Sequence, residues 1–131
     1  TADAAGYRLA ILMKGTADVY SPKVVRAATG SLFRMPVVSM ASAEELVEFT
    51  RAAGKKLTAT CLDAQCCYYE ENLTHDIALI IGNEGNGISQ ELIESSDIRI
   101  RIPMHGNIES LNAAVAAGIL MYEAMRENSR I

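Results

Sequence analysis

The sequence predicts an α/β domain with a mainly parallel sheet and helices on both of its faces. Three observations predict it. Short apolar runs alternate with runs of helical period along the chain. Asp76–Ile81 is almost continuously apolar, as a strand covered on both faces is. An alternating run, Ile98–Ile102, leads through a short loop into a long apolar helix, Leu111–Met125.

The elements follow in order. Thr1–Gly6 reads as the end of a helix, with Gly6 as its stop. Arg8–Met13 is a short strand and Lys14–Tyr20 a loop. Ser21-Pro22 opens a helix through Ala28, because proline suits the first turn, and Gly30 lies past its end. Pro36–Met40 is a second strand. Ser42 caps a helix over Ala43–Ala53; Glu45 completes a capping box and Gly54 ends the helix. Leu57–Leu62 is a third strand, and Asp63–Thr74 is irregular with room for one helical turn. After the strand Asp76–Ile81, Gly82–Gly87 is a turn, and Ser89 caps a short helix to Glu94. The strand Ile98–Ile102 stops at Pro103.

The last helix is apolar on two sides. Leu111, Ala114, Val115, Gly118, Ile119, Tyr122 and Met125 share one face; Ala113, Ala116, Ala117, Leu120 and Met121 lie opposite. One side can rest on the sheet, and the other needs a partner. A homodimer through the face of Ala113, Ala116, Leu120 and Met121 is the expectation. Ser110 is the expected N-cap, with Asn107 the alternative.

Composition narrows the function. The 131 residues, 50% of them hydrophobic, suit one domain with a core. The longest apolar stretch, Leu111–Met121, is too short to span a bilayer, so no membrane partner is expected. Cys61, Cys66 and Cys67 are odd in number and form no CxxC pair, which argues for cytoplasmic thiols and against a metal site. The net charge is −4, whereas proteins that hold nucleic acid by its phosphates usually carry a basic surplus. The charge is uneven, however. Arg8, Lys14, Lys23, Arg26 and Arg34 lie in the first 34 residues, against only Asp3 and Asp18.

Two loops could carry chemistry. Gly82-Asn83-Glu84-Gly85-Asn86-Gly87 follows a buried strand, and its glycines allow positive φ and close approach of a ligand. Its G-x-x-G-x-G spacing is neither the dinucleotide pattern nor a P-loop. Alone, such a turn is more often only a turn. The second loop, Ile102–Asn112, brings free backbone groups and a helix N-terminus to the end of a strand, where open α/β sheets bind ligands. Both loops are expected to follow neighbouring strands and to share one pocket.

The runs Leu79–Ser89 and Ile102–Asn112, the latter Ile-Pro-Met-His-Gly-Asn-Ile-Glu-Ser-Leu-Asn, resemble motifs two and three of the SpoU (TrmH-type) RNA ribose 2′-O-methyltransferases of the SPOUT superfamily. Thr1–Gly6 resembles the tail of motif one, and Pro22–Pro36 a further family segment. The resemblance implies a C-terminal trefoil knot, although general fold rules exclude knots. It implies S-adenosylmethionine as cofactor, RNA (tRNA or rRNA) as substrate, and a homodimer. By position, Gly82, Ile102, Leu111, Thr60, Gly85 and Met104 would line the cofactor site, with Asn112, Ser110 and Glu84 as the polar residues of the reaction site. Arg26 could contact RNA phosphate or help the site, and a surface arginine on its helix is the equal alternative. The family also places an arginine immediately before the run that begins at Thr1. On that expectation residues 1–131 form an N-terminally truncated methyltransferase domain that is itself inactive. A cofactor- or RNA-binding module of the same fold without catalysis is the alternative. A plain nucleotide-binding enzyme fits less well, since neither phosphate loop is present.

Overall fold

The computed structural model describes residues 1–74 and 76–129. It divides into two compact units, Thr1–Leu46 and Val47–Ile131. In the first, strands β1 (Ala10–Met13) and β2 (Val37–Met40) pair in parallel, with Ala10 opposite Val37 and Met13 opposite Met40. The crossover between them carries helix α1 (Pro22–Ala28) and a 3-10 turn at Ser31–Phe33. The opening turn ends as its glycine foretells. Gly6 has φ +81°, its N–H donates to the Asp3 carbonyl, and the Tyr7 N–H donates to Ala2. That is the double bond of a helix stop. Asp3 then accepts from the Ser31 hydroxyl at 2.8 Å and from Arg34 at 2.7 Å, tying the opening turn to the crossover. Helix α2 (Ala43–Ala52) starts in this unit. The Ser42 hydroxyl accepts from the Glu45 N–H, and Glu45 reaches back to the Ala41 N–H, one residue beyond the box the sequence suggests.

In the second unit, α2 ends with Gly54 at φ +67° and the same pair of terminal bonds, Gly54 to Arg51 and Lys55 to Thr50. Four parallel strands follow: β3 (Lys56–Thr60), β4 (Cys66–Cys67), β5 (Ile77–Ile80) and β6 (Ile98–Arg101), in the spatial order β4–β6–β3–β5. Helices cover both faces of this sheet. On one side Ile77, Leu79 and Ile81 with Ile98, Ile100 and Ile102 point alternately toward helix α4 (Ala113–Asn128), around buried Leu73, Leu120 and Ala124. On the other, Ala59, Cys61 and Ala64 meet Ile80, Ile88 and Ile93, the last of these on helix α3 (Gln90–Ser95). Ser89 caps α3, its hydroxyl accepting from the Leu92 N–H. Leu73, Ile100 and Leu120 are completely buried, and each such side chain contributes about 1.5–3 kcal/mol. Among the described residues, no helix is long and apolar enough to cross a membrane.

Four expectations need correction. Among the described residues there are two parallel sheets, not one. Asp63–Thr74 holds no helical turn; it supplies the edge strand β4, whose two residues are too few to show a period. The N-cap of α4 is Asn112, not Ser110 or Asn107: its Oδ1 accepts from Ala114 at 3.0 Å and Val115 at 3.2 Å. The two faces of α4 are also the reverse of the dimer expectation. Leu120 is the residue that seals the helix onto its own sheet, whereas Leu111, Val115, Tyr122 and Met125 face outward.

Candidate functional site

All four strands of the larger sheet run parallel, so β3, β5 and β6 end on one edge. The two loops leave from that edge, but from strands that are not neighbours. β3 lies between them, with Ala59 opposite Ile80 and Thr60 opposite Ile100. Two strand spacings of nearly 5 Å separate β5 from β6, about 10 Å in all. Thr60, at the end of β3, therefore sits between the two loop origins.

The loops close this gap themselves. Asn112 donates an amide N–H to the Glu84 carboxylate at 2.9 Å. With its oxygen capping α4 and its nitrogen on Glu84, Asn112 fixes the start of the helix against the glycine loop. One amide hydrogen of Asn112 and the second carboxylate oxygen of Glu84 remain for a ligand.

The glycine loop is built tightly. Asn83 and Gly87 exchange both backbone bonds, at 3.0 and 2.8 Å, and the Asn83 side chain accepts from the Gly85 N–H at 2.7 Å. A Cβ on Gly82 would lie 2.7 Å from the Gly87 carbonyl carbon and 3.0 Å from the Ile88 nitrogen. Gly82 is thus required first by its own loop. Gly85 has its N–H engaged inside the turn, so both glycines shape the site from the loop's interior.

The second loop is open. Among the described residues, the backbone N–H groups of Met104–Leu111 make no hydrogen bond within the chain. Beside them lies a recess of about 320 Å³ lined by Leu62, Arg101, Ile102, Pro103, Met104, Ile108 and Glu109. That volume is at the lower end for a small-molecule site. Its walls are mainly apolar, and its unpaired amides suit the edge of an uncharged heterocycle. No lysine or arginine cradle for a phosphate chain is present beyond Arg101.

Of the expected residues, the structure brings Glu84 and Asn112 into contact, places Ile102 and Met104 in one recess, and sets Thr60 and Gly82 on the same sheet edge. Leu111 is exposed and lies outside the recess lining. Ser110 is exposed and caps nothing. Arg26 belongs to the first unit, exposed on α1. Sequence reasoning named neither Arg101 nor Pro103 as lining residues, and it missed Leu62, Ile108 and Glu109. Leu62 closes the apolar run of the third strand and could have been found from that; the other two carry no local pattern. The thiols nearby are poor nucleophiles. Burial, reinforced by Asp63, pushes the Cys61 thiol up, and a hydrogen bond with Glu71 does the same to Cys66.

A parallel sheet with two loops joined over its carboxyl edge, one closed and one with unpaired amides beside a recess, outlines a candidate small-molecule site in an α/β protein without a phosphate loop. Residues 1–122 match the SpoU rRNA Methylase family, and the chain belongs to it. It is 43% identical over 122 residues, 93% of this chain and 49% of the relative, to the 23S rRNA (guanosine(2553)-2′-O)-methyltransferase RlmP of Bacillus subtilis. It is 41% identical over 97% of its length to the 23S rRNA (uridine(2479)-2′-O)-methyltransferase of Streptomyces viridochromogenes, covering 46% of that protein. The crystal structure of the SpoU methyltransferase AviRb from Streptomyces viridochromogenes in complex with the cofactor AdoMet aligns with a TM-score of 0.88 at 42% identity, over 96% of this chain and 52% of that one. The AdoMet-bound rRNA methyltransferase from Sinorhizobium meliloti aligns at 0.89 and 38%, over 95% and 48%. The chain therefore spans about half the length of the curated relatives named here.

Proposed function

We propose that this chain forms the cofactor-binding part of an S-adenosylmethionine-dependent RNA ribose 2′-O-methyltransferase. The observation that carries the reading is the Glu84–Asn112 bond, which joins two otherwise separate loops into one site. The similarity to AdoMet-bound SpoU structures supports it. Ribosomal RNA is the favoured substrate class, because the curated relatives above act on 23S rRNA by name.

The free amides of Met104–Leu111 would hold the adenine edge, with Ile102 and Met104 against its faces. Thr60, Gly82 and Gly85 would shape the floor, and Leu111 the outer rim. The cofactor, when bound, supplies a methyl group on a positive sulfonium. The chain's own task is alignment and proton removal. Asn112 can offer its remaining amide hydrogen to the ribose, and Ser110 an exposed hydroxyl. The free oxygen of Glu84 can accept the 2′-hydroxyl proton or orient the group that does. Arg26 would hold RNA phosphate.

The knot and the dimer belong to the same proposal. The Leu73 N–H donates to Glu127 near the end of α4 at 2.6 Å, and Leu73 shares a core with Leu120. That tie between the last helix and the segment before β5 supports a threaded C-terminus. The outward face of Leu111, Val115, Tyr122 and Met125 supports a dimer through that side of α4. Tyr122→Glu should then give a folded monomer by light scattering, whereas a wild-type monomer would contradict the dimer.

The activity is tested with tritiated cofactor and RNA from cells lacking the modification, using the protein that carries this chain. After alkaline hydrolysis the label should appear in dinucleotides, because a 2′-O-methyl group blocks cleavage of the adjoining phosphodiester. Label confined to mononucleotides would place the methyl on a base and overturn the reading.

A further inference from the structure

We propose that a second recess, at the carboxyl ends of β1 and β2, is a subsite for single-stranded RNA that stacks one base on Tyr20 and holds its flanking phosphates through Lys14 and Lys23. This inference rests on the methyltransferase reading for the identity of the polymer, and its own support is local. The recess has a volume of about 450 Å³ and lies wholly within the first unit. Leu12, Met13, Val19 and Met40 line it with apolar side chains, Lys14 and Tyr20 line it too, and Lys23 lies outside the lining, three residues past Tyr20 on α1.

Tyr20 is 75% exposed, and its backbone is fixed. Its N–H donates to the Asp18 side chain at 2.9 Å, and the next N–H, of Ser21, donates to the Asp18 carbonyl. The one acidic side chain in the recess is thus engaged in shaping the turn. Lys14, Lys23 and Arg26 are exposed, and among the described residues none forms an ion pair; Arg34 does, with Asp3. Residues 1–40 carry five basic and two acidic side chains, a net +3, which leaves −7 for residues 41–131 out of the total of −4. A held aromatic ring among unpaired cations is the arrangement that binds single strands, by base stacking and phosphate attraction together. The overall acidity of the chain hides it.

The test is fluorescence anisotropy of the chain with a labelled, unpaired RNA octamer, and with an octamer of the same charge carrying one central abasic site. Tyr20→Ala should weaken binding of the intact octamer roughly fivefold to hundredfold. It should weaken the abasic octamer much less, and Tyr20→Phe should restore affinity. Replacing Lys14 and Lys23 by Gln should reduce the dependence of log affinity on log salt by about 0.7 per lost phosphate contact. S-adenosylhomocysteine titrated calorimetrically into the same proteins reads the methyltransferase proposal separately; its heat should not change with Tyr20→Ala. Unchanged RNA affinity in Tyr20→Ala, equal losses on both octamers, or no RNA binding by the unmodified chain would each overturn the subsite.

Discussion

The two loops at the carboxyl edge of the larger sheet have opposite constructions. Gly82–Gly87 spends its backbone groups on itself: two bonds between Asn83 and Gly87, and one from Gly85 to the Asn83 side chain. Met104–Leu111 makes none of these. The first loop looks more like a ligand-binding motif in the sequence, because it is richer in glycine. The unpaired backbone N–H groups of the second make it the better candidate to face a ligand. Glycine in the first loop is needed for self-contact, while the second keeps its donors for something outside the chain.

Gly82→Ala should show this contrast at its largest. The new Cβ would collide with the backbone of Gly87 and Ile88, which cannot rotate away as a side chain would. A loss of about 1–3 kcal/mol in urea unfolding is expected. Gly106→Ala is the counterpart in the open loop. No heavy atom lies within 4 Å of its added Cβ, so stability should stay within about 0.5 kcal/mol. Similar losses in both variants would erase the distinction between the loops.

Asn112 is where the two constructions meet, and its replacement sharpens the comparison. Asn112→Ala removes the cap of α4 and should cost about 0.5–2 kcal/mol. Asn112→Asp keeps a capping oxygen but sets a second carboxylate beside Glu84. Its stability should stay closer to wild type while cofactor affinity falls. If Asn112→Asp bound cofactor as tightly as wild type, the bridge to Glu84 would have no part in the site.

The smallest effect belongs to the first unit. Hydrogen bonds from Ser31 and Arg34 hold the Asp3 carboxyl below its ordinary 3.8. A depressed carboxylate stabilises the fold fully above that value and loses the contribution as pH falls through its folded pKa. Asp3→Asn should therefore slightly lower stability at neutral pH and flatten its decline below pH 3.8, as followed by circular dichroism. An unchanged acid limb would remove the clamp from the account.

The sequence shows these features unevenly, for physical reasons. Helix stops at Gly6 and Gly54, the cap at Ser89 and the apolar strand of β5 are local, and each was readable from a few residues. Strand order is not local: β3 enters between β5 and β6 through pairing alone, and nothing in Lys56–Thr60 announces it. β4 is too short to show a period. The two apolar faces of α4 are nearly equal in composition, so only packing against Leu73 and Ile100 decides that Leu120 turns inward. The sequence offers Asn112 as a polar residue of the reaction site, not as the expected cap. The structure makes it a cap whose other atom reaches Glu84.

In the proposed function the open loop, backed by the closed one, holds the cofactor through its free amides. Titration of isotopically labelled chain with S-adenosylhomocysteine, followed by amide proton–nitrogen correlation spectra, tests it most directly. Saturable shifts are expected, largest at Met104–Leu111 and extending to Glu84 and Asn112. Saturable binding whose largest shifts fall outside 82–87 and 102–112, or no shifts at millimolar ligand, would contradict it.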